Sequence, residues 1–219
     1  MEKLRRILTE NGGNPNAFDD DGIPLIVSAA MNNCIGQVHH LLMLDADVNL
    51  QNRGINALMY ASSNGLLDIA QLLIATGEAD VNLQNKNGFT ALMLASTYNN
   101  VEIAQVILET GKADVTLQNM NGNNALTIAA FNGHLEIVRL LVEEKGVVNI
   151  NFQNRNGSTA LMSAASDNNI EIVSLILETG RADVTVRDIN GSTALDIARI
   201  YAHDEIHRLL IRSEMYPVL

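Results

Sequence analysis

Three sets of side chains here have types that bind metals or break bonds. Cys34, His39 and His40 offer a thiolate and two imidazoles, ligands that zinc accepts. Their spacing argues against a site: Cys34 falls in a turn between helices, the two histidines are adjacent on a helix, and no fourth ligand stands at a suitable distance. His203 and His207 lie four residues apart, one helical turn, but no carboxylate motif accompanies them. Asp47, Asp80, Asp114 and Asp183 recur at one position of a repeating unit and read as loop-stabilising residues, not as catalytic carboxylates. Asn156-Gly157-Ser158 and Asn190-Gly191-Ser192 match the glycosylation sequon, yet the same text also serves as a turn. No glycine-rich phosphate loop, nucleophile elbow or hydroxyl paired with a base by a known motif is present. The residues therefore predict no enzyme, no cofactor, no metal and no small-molecule substrate.

The elements that would position any site follow from composition. Of 219 residues, 47% are hydrophobic but only 4% aromatic; there is no Trp, and Met occurs 8 times. Such a stock of Ala, Leu, Ile, Val and Met suits close-packed helices. The formal net charge of −11 repels phosphate backbones, so nucleic acid is not an expected partner, while proteins stay open. One cysteine excludes an intrachain disulfide and fits a reducing compartment. Residues 1–8 mix charge into apolar positions at helical spacing, unlike a secretory signal, and no apolar run approaches a membrane span. The sequence reads as cytoplasmic, or as delivered into a host cell by a signal invisible to this test.

A repeat organises the chain. Glycines 22, 54, 88, 122, 157 and 191 are separated by 32, 34, 34, 35 and 34 residues. Asn87-Gly88-Phe89-Thr90-Ala91-Leu92-Met93 opens one unit and Asn156-Gly157-Ser158-Thr159-Ala160-Leu161-Met162 another. Thr90, Thr159 and Thr193 stand where a hydroxyl can cap a helix start. The next stretch is small and apolar. A second helix follows, with apolar residues at Val101, Ala104, Ile107 and Leu108, and Glu102, Gln105 and Glu109 on its wet face. Gly77, Gly111, Gly146 and Gly180 fit the left-handed position that ends a helix. The Asn-Gly pairs at 87–88, 121–122, 156–157 and 190–191 fit tight, hairpin-like turns.

This text resembles the ankyrin repeat, most closely in Asn121-Gly122-Asn123-Asn124-Ala125-Leu126 and in Asn132-Gly133-His134-Leu135-Glu136-Ile137-Val138. The resemblance implies an all-α solenoid of helix-turn-helix units with hairpin-like tips. It also implies a structural, loop-bracing role for His134. The family's usual Thr-Pro-Leu-His becomes Thr-Ala-Leu-Met or a close variant, so the Pro and the His are mostly lost. The organisation expected is one domain over 1–219: a half-repeat cap at 1–18, then repeats at 19–51, 52–84, 85–118, 119–153, 154–187 and 188–219. The last repeat, with Arg199 and a charged final helix, reads as a cap. The tail after Arg212 has no assignable role.

The resemblance further implies protein binding along a concave face built from tips and inner helices. The core positions repeat while the tip positions vary, as an adaptor requires. Ile55, Phe89, Tyr98, Met120 and Phe131 place large apolar groups at nominally exposed positions in the first four repeats, with Arg53, Lys86 and Arg155 as charged neighbours. The prediction is a scaffold that docks a partner protein there. A self-associating structural protein and an enzyme with an unrecognised site are the alternatives, and a bacterial effector is one setting for such a scaffold.

Overall fold

The computed structural model describes residues 2–143 and 148–215. Among them are thirteen helices, which pair off along the chain. The helix α1 (Glu2–Glu10) stands alone. Then come α2 (Leu25–Met31) with α3 (Ile35–Leu42), α4 (Ala57–Asn64) with α5 (Leu67–Ala75), and α6 (Ala91–Tyr98) with α7 (Val101–Glu109). The series continues with α8 (Ala125–Phe131) and α9 (Leu135–Glu143), α10 (Ala160–Ser166) and α11 (Ile170–Glu178), and α12 (Ala194–Ile200) and α13 (Asp204–Met215). No described helix is long and apolar enough to cross a membrane. The chain divides into two compact units, Met1–Ala113 and Asp114–Leu219. Gly146 and the tail residues Tyr216–Leu219 lie outside the described residues.

Within each unit the even-numbered helices form an inner layer and the odd-numbered ones an outer layer. In the first unit α2 packs on α4 and α4 on α6, while α3 packs on α5 and α5 on α7. In the second, α8, α10 and α12 follow one another, as do α9, α11 and α13. Small residues permit the close inner approach: Ala57, Ala61, Ala91 and Ala95 in the first unit, and Ala129, Ala130, Ala164 and Ala165 in the second, are buried. Outer helices supply the bulk, with Ile69 and Leu73, Ile103 and Ile107, and Ile137 and Leu141 fully buried at four-residue spacing. Met59, Met93 and Met162, which replace the family's histidine, are buried to the same degree.

Inner helices start where a side chain can accept an orphan N–H. Thr90 accepts from Met93, Thr159 from Met162 and Thr193 from Asp196, each at 3.2 Å. Asn56 and Asn124 do the same for α4 and α8, at 2.8 Å and 2.9 Å. Gly77, Gly111 and Gly180 take positive φ just beyond α5, α7 and α11.

The recurring aspartates hold the loops. The Oδ1 of Asp47, Asp80, Asp114 and Asp183 each accepts the N–H two residues on, at 2.8 to 2.9 Å. Asparagines link one loop to the next. Asn49 accepts from the Asp80 N–H and donates to the Glu78 carbonyl; Asn151 accepts from Asp183 and donates to Arg181.

Candidate functional site

The tips are built by one organising side chain per repeat. The Oδ1 of Asp19, Asn85, Asn119, Asn154 and Asp188 accepts two backbone N–H groups, from residues two and four positions on. In the third repeat the Gly88 N–H returns to the Asn85 carbonyl at 2.8 Å, and the Asn85 N–H reaches the Phe89 carbonyl at 2.9 Å. The loop therefore has three residues, Lys86-Asn87-Gly88, with only the glycine at positive φ. The Asn-Gly pair thus closes a tight, hairpin-like loop of three residues.

The second repeat is the exception. Asn52 and Ile55 exchange both backbone hydrogen bonds, at 2.8 and 2.9 Å, around Arg53-Gly54. Arg53 has φ 52° and Gly54 φ 89°, the two-residue mirror-type turn. This one-residue shortening accounts for one of the two residues by which the Gly22–Gly54 spacing falls short of 34.

In the second unit the tips are also tied to one another. The Arg155 N–H donates to the Asn121 carbonyl at 3.4 Å, and the Ile189 N–H to Asn156 at 3.0 Å. The Asn154 side chain donates to Asn123 Oδ1 at 2.7 Å. Such ties hold the exposed residue of each tip on a fixed backbone.

The candidate residues distribute as follows. In the first unit Tyr98 is 58% exposed at the end of α6, and Arg53 and Lys86 are exposed on their tips. Ile55 and Phe89 are only half-buried, because each follows its tip glycine and turns back toward the start of an inner helix. As freely exposed groups they are corrected to partly packed ones. In the second unit Met120 and Phe131 are 58% and 55% exposed, and Arg155 is exposed.

The sequence pattern places the apolar cluster in the first four repeats. The last repeat extends it: Ile189 on its tip, and Ile200 and Tyr201 at the end of α12, are exposed. The signal was present, since Ile189 occupies the tip position of Met120 and Arg155. Tyr201 stacks on the His203 ring at 5.9 Å between centroids. Phe18, before the first tip, is a further exposed aromatic that the pattern did not single out.

Charge is segregated between the layers. The inner helices α2, α4, α6, α8 and α10 contain no charged residue. The outer helices α5, α7, α9 and α11 carry Asp68, Glu102, Glu109, Glu136, Glu143, Glu171 and Glu178. Arg139 lies 3.7 Å from Glu136 and 3.9 Å from Glu143. On the first tip Nη2 of Arg6 in α1 donates to both Asp20 carboxylate oxygens, at 2.8 and 2.9 Å, and the Arg6 guanidinium holds that carboxyl below the usual range. Arg53, Lys86 and Arg155 form no ion pair with any described carboxylate.

The histidines and the cysteine are placed by structure. His203 Nδ1 is 2.8 Å from the Ala165 carbonyl. Asn100 and Asn169, at the equivalent position, donate to Ser62 and Ala130 at 2.7 and 3.1 Å. These are braces from one repeat to the inner helix before it. Cys34 is half-buried at the start of α3, and its Sγ donates to the Asn32 carbonyl. Among the described residues no three His, Cys, Asp or Glu side chains gather as a metal site would require.

A family model described as ankyrin repeats, in three copies, matches residues 2–85, 25–119, 58–154, 110–188 and 145–217. A solved structure titled EF0377, an ankyrin repeat protein, is 32% identical over 86% of this chain and 96% of that one, with a TM-score of 0.81. No curated protein matches.

Proposed function

This chain belongs to the ankyrin-repeat family, and on that premise we propose that it is a scaffold that docks a partner protein on its tips and inner-helix ends. Ankyrin repeats are in general protein–protein interaction modules. One observation carries the assignment to this face: large apolar side chains stay exposed where the repeat's other positions are satisfied. Tyr98, Met120 and Phe131 could have been polar without loss to the core, since they contact solvent over more than half their surface. Rigid exposed aromatics with a charged rim suit interface anchors. In the first unit Tyr98 is the anchor, Ile55 and Phe89 are half-buried supports, and Arg53 and Lys86 form the rim. In the second, Met120 and Phe131 are anchors beside Arg155. The reading is of binding, not catalysis, in a reducing compartment that keeps Cys34 as a thiol.

The test compares wild-type protein with Tyr98→Ala and Phe131→Ala variants in capture from a cell lysate, read by mass spectrometry. A protein retained by wild type and lost from a variant of unchanged helicity supports docking on that unit. Identical retention by wild type and both variants contradicts it.

A further inference from the structure

In the second unit the three consecutive tips present one side chain each, in the order Met120, Arg155, Ile189. They occupy the same step of the same turn, immediately after the organising residues Asn119, Asn154 and Asp188. Backbone hydrogen bonds tie tip to tip, from Arg155 to Asn121 and from Ile189 to Asn156, so the order is fixed. The two outer members are apolar and exposed, and the middle one is a cation without a described ion-pair partner.

The charges on this side do not neutralise Arg155. Asp188 stands in the row itself, but its Oδ1 is turned into its own tip, where it accepts the Asn190 and Ser192 N–H groups at 2.8 Å, and it forms no described ion pair with Arg155. Asp167 caps the far end of α10, and a seven-residue helix spans about 10 Å. That is about one Debye length at physiological salt. Asp196 is already engaged by Arg199 at 3.2 Å and Arg187 at 3.9 Å. The carboxylates of α9 and α11 lie on the outer layer.

We propose that this tip row receives an acidic segment of a partner protein, with a carboxylate on Arg155 and an apolar side chain on each of Met120 and Ile189. The inference rests on the docking function proposed above and gives it a ligand chemistry. A guanidinium takes a carboxylate through two parallel bonds, and flanking apolar groups exclude water from the pair. An acidic ligand is repelled by the chain's net charge of −11 at long range, but screening confines that repulsion. The segment therefore registers on Arg155, the middle member of this row, with an apolar neighbour on each side. A basic segment would meet Arg155 as a like charge, and a charge-free one would leave the guanidinium half-desolvated without a partner.

The experiment selects from a displayed library of random twelve-residue peptides on the whole protein. Peptides that are enriched are then titrated against wild type, Arg155→Glu, Met120→Ala and Phe131→Ala. The proposal expects enriched peptides to carry Asp or Glu between apolar residues. It expects Arg155→Glu to weaken them about tenfold or more. It also expects a peptide with Lys in place of the acid to regain affinity for Arg155→Glu. Neutral or basic peptides that depend on Phe131 or Met120 would overturn the acidic assignment and leave docking on this face intact. No enrichment, or binding indifferent to every one of these variants, would overturn both. A concentration-dependent mass of the protein alone, abolished by Arg155→Glu, would overturn the proposal in favour of a second copy of this chain.

Discussion

The N–H of Ile189 donates to the carbonyl of Asn156 at 3.0 Å, so the last tip rests on the one before it. The contact leaves no room between them. A Cβ built on Gly157 would stand 2.9 Å from the Ile189 nitrogen and 3.0 Å from the Asp188 Cα. Gly191, with φ +79°, would meet nothing within 4 Å.

Gly157→Ala and Gly191→Ala therefore separate two costs. Both place a side chain at positive φ, worth about 1–2 kcal/mol. Only Gly157→Ala also forces two backbones apart. Denaturant unfolding should show Gly157→Ala the more destabilising by about 1 kcal/mol or more. Equal losses would mean that the tips are not in firm contact.

Arg53 sits at φ 52° in the shortened turn of the second repeat, a position that Asn accepts more readily. Arg53→Asn should raise stability by about 0.5 kcal/mol, through relief of backbone strain. The midpoint of urea unfolding measures it. A fall in midpoint would show that the arginine side chain contributes more than its backbone costs.

Ser62 is fully buried, and its hydroxyl finds no hydrogen-bond partner among the described residues. Its counterpart Ser96 donates to the Leu92 carbonyl at 2.8 Å. Ser62→Ala removes an unsatisfied polar group and should stabilise by about 1 kcal/mol, whereas Ser96→Ala should be neutral or destabilising. Thermal unfolding of the pair decides; a loss at Ser62 equal to that at Ser96 would contradict the assignment.

Acid should unfold the protein partly through its loops. The Thr116 hydroxyl donates to Asp114 at 2.6 Å and Thr185 to Asp183 at 2.7 Å; these bonds, with the backbone N–H groups beside them, hold both carboxyls below the usual value of 3.8. A lowered folded pKa contributes stability that is present above the unfolded value and lost as pH falls through the folded one. Stability should decline below about pH 4. The double variant Thr116→Val/Thr185→Val should decline less steeply. Urea midpoints at a series of pH values check this, and parallel curves would contradict it.

The helices and their pairing were legible because each repeat restates the same small-residue helix and amphipathic helix. Thr90, Thr159 and Thr193 could be assigned as caps from their place before Ala-Leu. Turn type was not legible from the Asn-Gly pairs alone, since Asn-Gly serves either a two-residue or a three-residue loop, and the number of residues from the Asn or Asp before the tip to the tip glycine decides between them. That residue, Asn or Asp at 19, 52, 85, 119, 154 and 188, recurs as regularly as the glycines and was the missed signal. Exposure was only partly legible. Phe89 and Phe131 look alike in sequence, but one follows a tip glycine and packs back, while the other ends an inner helix and faces water. Ile189, Ile200 and Tyr201 escaped because the last repeat reads first as a polar cap.

Docking through the exposed residues of the inner layer and tips can be read by placing a photo-crosslinking amino acid singly at Tyr98, Phe131, Gln105 and Glu171, and irradiating each protein in a cell lysate. The first two positions, on inner-helix ends, should capture a discrete protein, and the two outer-helix positions should not. Capture from Gln105 or Glu171 alone, or from none of the four, would contradict it.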